Sequence, residues 1–118
     1  YLELPRYYSE ADVFIHPGRH EPWGVTVHEA MLAGLTVIAS DQVVSAREIL
    51  PDADRWTYAS GDSNSLAELI QMAASDQVRE TAASQNLRAG QAFSPRKVAR
   101  AFCDFLGSGQ AASEAGFL

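Results

Sequence analysis

The chain has a single cysteine, Cys103, among its 118 residues, so it cannot form a disulfide within itself. It also has no apolar run near the roughly 20 residues that a membrane-spanning helix needs. Positive charge is scarce, because 9 lysines and arginines stand against 15 acidic residues and give a formal net charge of -6. An acidic chain repels nucleic acid and anionic lipid unless it carries a strong basic patch. We therefore expect no membrane span and no nucleic-acid partner.

The chain also lacks an initial methionine and a leader of basic, then apolar, then small residues. These absences predict a trimmed or fragmentary chain without a signal peptide. Cys103 lies in an apolar helical stretch, which predicts a buried, inert thiol and a reducing, cytoplasmic setting. The dense basic cluster of Arg96, Lys97 and Arg100 is expected on the solvated face of a helix.

What the chain does have is a globular composition, 47% hydrophobic and 20% charged, in which short apolar runs alternate with amphipathic patterns. Three apolar runs predict strands over residues 13–15, 36–39 and 55–59. Amphipathic patterns predict helices over residues 2–11, 23–33, 45–50 and 78–87. Because strands and helices alternate and the strands are apolar throughout, the sequence predicts an α/β fold. Its sheet should be parallel, Rossmann-like and buried on both faces.

The predicted helix ends carry their own signals. Gly34 fits a left-handed residue after a helix, and Ser65 with Glu68 has the spacing of a capping box. Ser94 before a proline predicts the start of a last helix, with an apolar stripe along it. We divide the chain into a folded domain, residues 1–106, and a flexible tail, residues 107–118.

The first predicted strand leads into the helix that bears the candidate chemistry. Ligands of open parallel sheets bind beyond the carboxyl ends of the strands, and a helix start there offers free N–H groups to a phosphate. Gly24, at the helix start, allows a ligand close to the backbone. Glu21 precedes it, and Glu29 lies about 8 Å along the helix axis. Ionised carboxylates only accept hydrogen bonds, which suits sugar hydroxyls.

These residues also have simpler interpretations. Two glutamates eight positions apart occur often by chance, and Glu29 could be a helix-surface residue. Asp41 could face the ligand crevice or cap a turn. Trp56 and Tyr58 are expected to pack in the core, and Tyr7 and Tyr8 to pack the first helix. Three histidines, His16, His20 and His28, lie near the glutamates, but no H-E-x-x-H pattern is present, so we expect no metal.

The segment around the glutamates resembles a known family. Residues 21–34 read E-P-W-G-V-T-V-H-E-A-M-L-A-G, similar to the E-P-F-G-x-x-x-x-E-A-M-A-x-G signature of glycosyltransferase family 4. The similarity extends upstream to Y-S-E-A-D-V-F-I-H-P and downstream to L-T-V-I-A-S-D, residues 47–50, Gly61-Asp62 and Phe93-Ser94. It thus runs through most of the chain in order.

The resemblance implies roles for individual residues. Glu21 matches the first glutamate of the family's E-x7-E motif, the catalytic-centre residue that contacts the donor sugar. Glu29 matches the second, which holds the nucleotide ribose. The residues between them are implied to approach the sugar and phosphates of the donor: Trp23, Gly24, Val25 and Thr26. Three departures from the family pattern concern Trp23, where phenylalanine is usual, Thr36, where proline is common, and the turn Q-V-V-S-A, which is often glycine-rich.

The resemblance also implies an enzyme larger than this chain. Family members are retaining GT-B glycosyltransferases, with two Rossmann-like domains around a cleft and generally without a bound metal. The chain resembles the second half of the C-terminal domain, so the phosphate-binding arginine and lysine and the acceptor domain lie outside it. The implied partners are a nucleotide-diphosphate sugar and a glycan, lipid-linked or small-molecule acceptor. The implied location is cytoplasmic, including a peripheral position at the inner face of the membrane.

The isolated chain is expected to be inactive in transfer and to form a homo-oligomer through its open sheet edge. Two alternatives remain. One is a noncatalytic sugar-nucleotide-binding or assembly domain of the same fold, which the presence of both glutamates disfavours. The other is a flavodoxin-like signalling domain, which would not explain E-P-W-G followed by the second glutamate.

Overall fold

The computed structural model describes residues 2–107, which form three strands and seven helices. The strands make one parallel sheet of order β1-β2-β3, with helices packed around it. This is the predicted Rossmann-like α/β fold. The elements in chain order are α1 (Leu4–Glu10), β1 (Val13–His16), α2 (Val25–Leu32), β2 (Thr36–Ser40), α3 (Val44–Ile49), α4 (Ala53–Trp56), β3 (Thr57–Tyr58), α5 (Ser63–Ala73), α6 (Asp76–Ala92) and α7 (Pro95–Gly107).

The central strand β2 is buried along its whole length, as its apolar and β-branched residues predict. Its first residue pairs in register with Val13 of β1, and its last pairs with Tyr58 of β3. The prediction of burial on both faces is therefore correct for β2. It is wrong for β1, which lies at the edge of the sheet and leaves Ile15 37% exposed.

The core forms where α2 and α6 pack beside β2. Helix α2 buries Val27, Ala30 and Met31, and α6 buries Ala82, Asn86 and Gly90. A Cβ on Gly90 would lie 3.1 Å from the Met31 Cβ, so the glycine permits this close approach. The Asn86 amide donates to the Leu35 carbonyl at 3.0 Å. Because the buried face of α6 is small and polar, its apolar pattern predicted only residues 78–87 of a 17-residue helix.

The third predicted strand, residues 55–59, is mostly wrong. A short helix, α4, occupies its first half, and the strand is reduced to two residues. The Thr57 hydroxyl donates to the Ala53 carbonyl at 2.8 Å and closes this turn of helix. Trp56 therefore lies on α4 rather than on the strand, but it packs in the core with Tyr58 as expected. Burial raises the pKa of the Tyr58 phenol.

The predicted capping box of α5 is also wrong. Asp62, not Ser65, is the N-cap residue, and its carboxylate accepts from the Ser65 hydroxyl at 2.7 Å and the Ser65 N–H at 3.1 Å. An aspartate at this position satisfies an N–H group that the helix itself leaves free. The Ser65 hydrogen bonds, from its hydroxyl first and its N–H second, lower the pKa of the Asp62 carboxyl.

The last described helix, α7, has the predicted apolar stripe but buries none of its residues. Cys103 is exposed, so the prediction of a buried thiol is wrong. Burial of the Cys103 thiol required the apolar stripe to be covered, and no residue of α7 is buried. Arg96, Lys97 and Arg100 are exposed, as expected. The predicted tail, apart from Gly107, lies outside the described residues. Within residues 2–107, no helix is long and apolar enough to cross a membrane.

Candidate functional site

The loop after β1 and the start of α2 carry most of the predicted site residues. Gly24 is the N-cap of α2, with a φ of 92° in the left-handed region. A Cβ there would meet the Ser45 Oγ and Val43 Cγ1 at 3.1 Å and the Glu21 Cγ at 3.2 Å. Both the backbone conformation and the available space therefore require glycine. The predicted helix start at Trp23 is two residues too early, because α2 begins after this turn, at Val25.

The loop after β2 holds the turn at Gly24 through hydrogen bonds. Glu21 pairs with Val43 in an isolated parallel bridge, with its N–H donating to the Gln42 carbonyl at 3.1 Å. Ser45 donates its N–H to the Trp23 carbonyl at 2.9 Å and its hydroxyl to the Gly24 carbonyl at 2.9 Å. We call residues 21–24 the motif loop. The segment that fixes this loop is therefore Q-V-V-S-A, where the family pattern is often glycine-rich.

The residues of the motif loop and of the start of α2 differ in how far they are exposed to solvent. The Glu21 carboxylate is half-buried and accepts from the Trp23 N–H at 3.2 Å. Trp23 is 46% exposed, and Val25 and Thr26 are exposed as well, whereas Gly24 is buried. Trp23, Val25 and Thr26 thus present their side chains at the surface, where a ligand can reach them.

Glu29 is half-buried, on the face of α2 that turns toward α1. Its carboxylate accepts a hydrogen bond from the Tyr8 hydroxyl at 3.0 Å. Between the two helices lies a cavity of about 530 Å³. Its wall is mostly apolar and is formed by Leu4, Pro5, Tyr8, Ser9, Glu29, Leu32 and Ala33. Glu29 is therefore a cavity-wall residue with a fixed hydrogen bond, not a freely solvated residue of a helix surface.

The end of β2 ties together the loops at the carboxyl edge of the sheet. The Ser40 hydroxyl donates to the Gly18 carbonyl in the loop after β1. The Asp41 carboxylate accepts from the Ser60 N–H at 3.0 Å, in the loop after β3. Of the two roles considered for Asp41, the structure supports the capping of a loop. The site edge is thereby braced on both sides of β2.

The histidines do not gather around the glutamates. His28 pairs its Nε2 with the Gly90 carbonyl at 3.0 Å and packs edge-on against Phe93. His16 is the last residue of β1, and its Nδ1 accepts from the Gly18 N–H at 3.2 Å. In the part of the chain that the structure describes, no three histidine, cysteine or acidic side chains are grouped to hold a metal.

Comparison with known proteins places this arrangement in a family. The sequence model of the glycosyl transferases group 1 family matches residues 1–90, which run from α1 into α6 and include the whole candidate site. The chain belongs to this family. An O-antigen chain mannosyltransferase B of Escherichia coli is 30% identical over 92 residues, which are 78% of the chain and 24% of that protein.

Two further relatives have shorter matches. A GDP-mannose-dependent alpha-mannosyltransferase of Mycolicibacterium smegmatis is 56% identical over 34 residues, 29% of the chain and 9% of that protein. An uncharacterized 41.2 kDa protein in the cps region of Klebsiella pneumoniae is 44% identical over 69 residues, 58% of the chain and 19% of that protein. The chain thus matches a quarter or less of the length of each of these relatives.

Sequence reasoning missed two residues that fix the site. The sequence predicts for Tyr8 only packing of the first helix, and for Ser45 only the start of a short helix. Each forms its hydrogen bond with a residue 21 positions away. Nothing in the local pattern distinguishes them, because neither spacing nor polarity marks a contact between separate elements.

Proposed function

We propose that the chain is the donor-binding segment of a longer, retaining glycosyltransferase of the GT-B fold, and that it binds a nucleotide-diphosphate sugar. The observation that carries the proposal is the arrangement of the E-x7-E pair. Glu21 is anchored by backbone pairing before the helix start at Gly24, and Glu29 lies beyond it on the wall of a cavity. Family membership adds to this geometry.

In this proposal each part of the site binds one part of the donor. Glu21 is the catalytic residue that accepts hydrogen bonds from the sugar near the reacting carbon. The backbone from Trp23 to Thr26 lies along the sugar and phosphates, where the helix start stabilises negative charge. Glu29 binds the ribose. Transfer with retention passes through an oxocarbenium-like transition state, and the leaving diphosphate is stabilised electrostatically without a metal.

We propose GDP-mannose as the donor to test first. The Mycolicibacterium smegmatis relative is named as a GDP-mannose-dependent alpha-mannosyltransferase, and the Escherichia coli relative is named as an O-antigen chain mannosyltransferase. The acceptor is a glycan, a lipid-linked glycan or a small molecule, held by a domain outside this chain. The proposed location is the cytoplasm or the inner face of the membrane. Residues 1–106 then form the donor-binding part, and residues 107–118 a flexible tail.

The test compares Glu21→Gln and Glu29→Gln in the full-length enzyme that contains this chain. Glu21→Gln should abolish most of the turnover of GDP-mannose but leave GDP affinity unchanged, because Glu21 faces the sugar. Glu29→Gln should weaken GDP by about 1–3 kcal/mol, the scale of a lost hydrogen bond to a charged group. UDP and ADP are titrated alongside, and Glu68→Gln, an exposed carboxylate on α5, is the matched control.

Equal GDP affinity in the parent and both variants would contradict the assignment of Glu29. Donor binding with no transfer to any acceptor would favour the noncatalytic alternative. The isolated chain should show no transfer at all, because catalysis requires an acceptor held against the donor sugar. Reproducible transfer by the purified chain would overturn the assignment of acceptor binding to a separate domain.

A further inference from the structure

Helix α1 is attached to the rest of the fold mainly through Tyr8. None of the residues of α1 is buried, and Tyr8 is the residue of α1 that packs against the hydrophobic core. The Tyr8 ring lies 6.0 Å from the Phe14 ring of β1, centroid to centroid. The ring therefore fixes α1 on the sheet, and its hydroxyl extends from this anchored base.

That hydroxyl reaches the Glu29 carboxylate. The distance from the Tyr8 Oη to the Glu29 Oε2 is 3.0 Å, and the bond joins α1 to α2. A phenol donates one proton, whereas an ionised carboxylate only accepts and offers about four lone-pair sites. One hydrogen bond from Tyr8 therefore leaves most of the accepting capacity of Glu29 for a ligand. A hydrogen bond to a charged acceptor is also stronger than one between neutral groups.

Both groups lie on the wall of the cavity between α1 and α2. The other lining residues, apart from Ser9, are apolar, among them Pro5 and Leu32. A glutamate side chain that is free to rotate loses conformational freedom when a ligand orders it, and this loss weakens binding. A bond that orders the carboxylate beforehand removes part of that loss.

We propose that Tyr8 is a positioning residue for Glu29, holding the carboxylate in the orientation that accepts the ribose hydroxyls of the nucleotide. The inference rests on the proposed function and adds to it a residue from a separate helix. Tyr8 acts through Glu29 and has no part in the transfer step. Its loss should therefore raise the KM for the donor and leave kcat nearly unchanged.

The test is a double-mutant cycle in the full-length enzyme, with GDP as the titrated ligand and GDP-mannose as the substrate. Tyr8→Phe removes only the hydroxyl and keeps the ring against Phe14. It should weaken GDP and raise the donor KM roughly three- to tenfold, the range expected for one lost hydrogen bond. In a Glu29→Ala background, where no acceptor remains for the Tyr8 hydroxyl, the same change should have no further effect. Tyr7→Phe, exposed on the same helix, is the control and should behave as the parent.

A purely structural role for Tyr8 predicts a different pattern. It would lower the melting temperature and weaken GDP by the same factor with or without the Glu29 carboxylate, and that result would overturn the inference. Unchanged GDP affinity in Tyr8→Phe, with a clear loss in Glu29→Gln, would also overturn it while leaving the proposed function intact. If the parent bound no nucleotide sugar, or Glu29→Gln bound it as the parent does, the proposed function itself would fail.

Discussion

Ser45 donates its hydroxyl to the carbonyl of Gly24 at 2.9 Å, and its own N–H to the preceding carbonyl, that of Trp23. One buried serine at the start of α3 thus binds two successive carbonyl groups of the motif loop. Gly24 lies in this loop and has a left-handed backbone conformation. The path of the loop is therefore set by α3 as well as by the loop's own sequence.

Ser45→Ala should lower the free energy of unfolding by about 0.5–1.5 kcal/mol, because one hydrogen bond is lost while the Gly24 carbonyl keeps its bond from the Val27 N–H. Urea denaturation measures this change. Ser84→Ala, exposed on α6, is the control and should stay within about 0.5 kcal/mol of the parent. Equal stability of the two variants would show that Ser45 does not hold the loop.

Gly24→Ala should be more destabilising than Gly34→Ala. Both glycines have positive φ, 92° and 73°, which costs a residue with a Cβ about 1–2 kcal/mol. A Cβ at Gly34 meets nothing within 4 Å, whereas one at Gly24 meets three side chains at 3.1–3.2 Å. We expect a difference of at least about 1 kcal/mol, since overpacking costs about 1–3 kcal/mol. Similar denaturation midpoints would contradict the close contact at Gly24.

The Asp62 cap makes α5 sensitive to acid. Its pKa is lowered in the folded chain from an ordinary value of 3.8, so the folded state prefers the ionised carboxylate. The resulting stabilisation is present above pH 3.8 and is lost as the pH falls through the lowered pKa. Asp62→Asn keeps a capping oxygen without a titrating group. The parent's melting temperature should therefore fall more steeply than the variant's below about pH 4; parallel curves would exclude this role.

The open edge of β1 should make the isolated chain self-associate, as its sequence predicts. Among the described strands β1 pairs with β2 alone, and Ile15 and Ile70 leave an apolar surface beside it, 37% and 44% exposed. Sedimentation at micromolar concentration should show dimers or larger species. Ile15→Lys should shift them toward monomer, and Val44→Lys, equally exposed on α3, should not. A parent chain that sediments as a monomer would refute the prediction.

The sequence predicts those elements of the fold that bury their own apolar residues. Strand β2 and helix α2 follow from their patterns, because each of them faces the core with large side chains. It fails where burial depends on small or polar residues, as at Asn86 and Gly90 of α6. Prediction from the sequence also fails at Cys103, because an amphipathic pattern does not show whether other residues cover the apolar face of the helix.

Within the site, the motif spacing predicts the relation of Glu21, Gly24 and Glu29 along the chain. It does not predict which residues hold them, because Tyr8 and Ser45 act across 21 positions of sequence. Such contacts depend on how α1 and α3 pack beside α2, and no local periodicity encodes that packing.

The two glutamates rest on independent supports: Glu21 on the bridge to Val43, and Glu29 on the bond from Tyr8. A change in the length or sequence of the loop after β2 would displace the first carboxylate and leave the second in place. If the donor lies as proposed, sugar preference can therefore diverge between descendants of one ancestor while the nucleotide is inherited unchanged. Variation confined to residues 41–45 would be the evolutionary record of such a divergence.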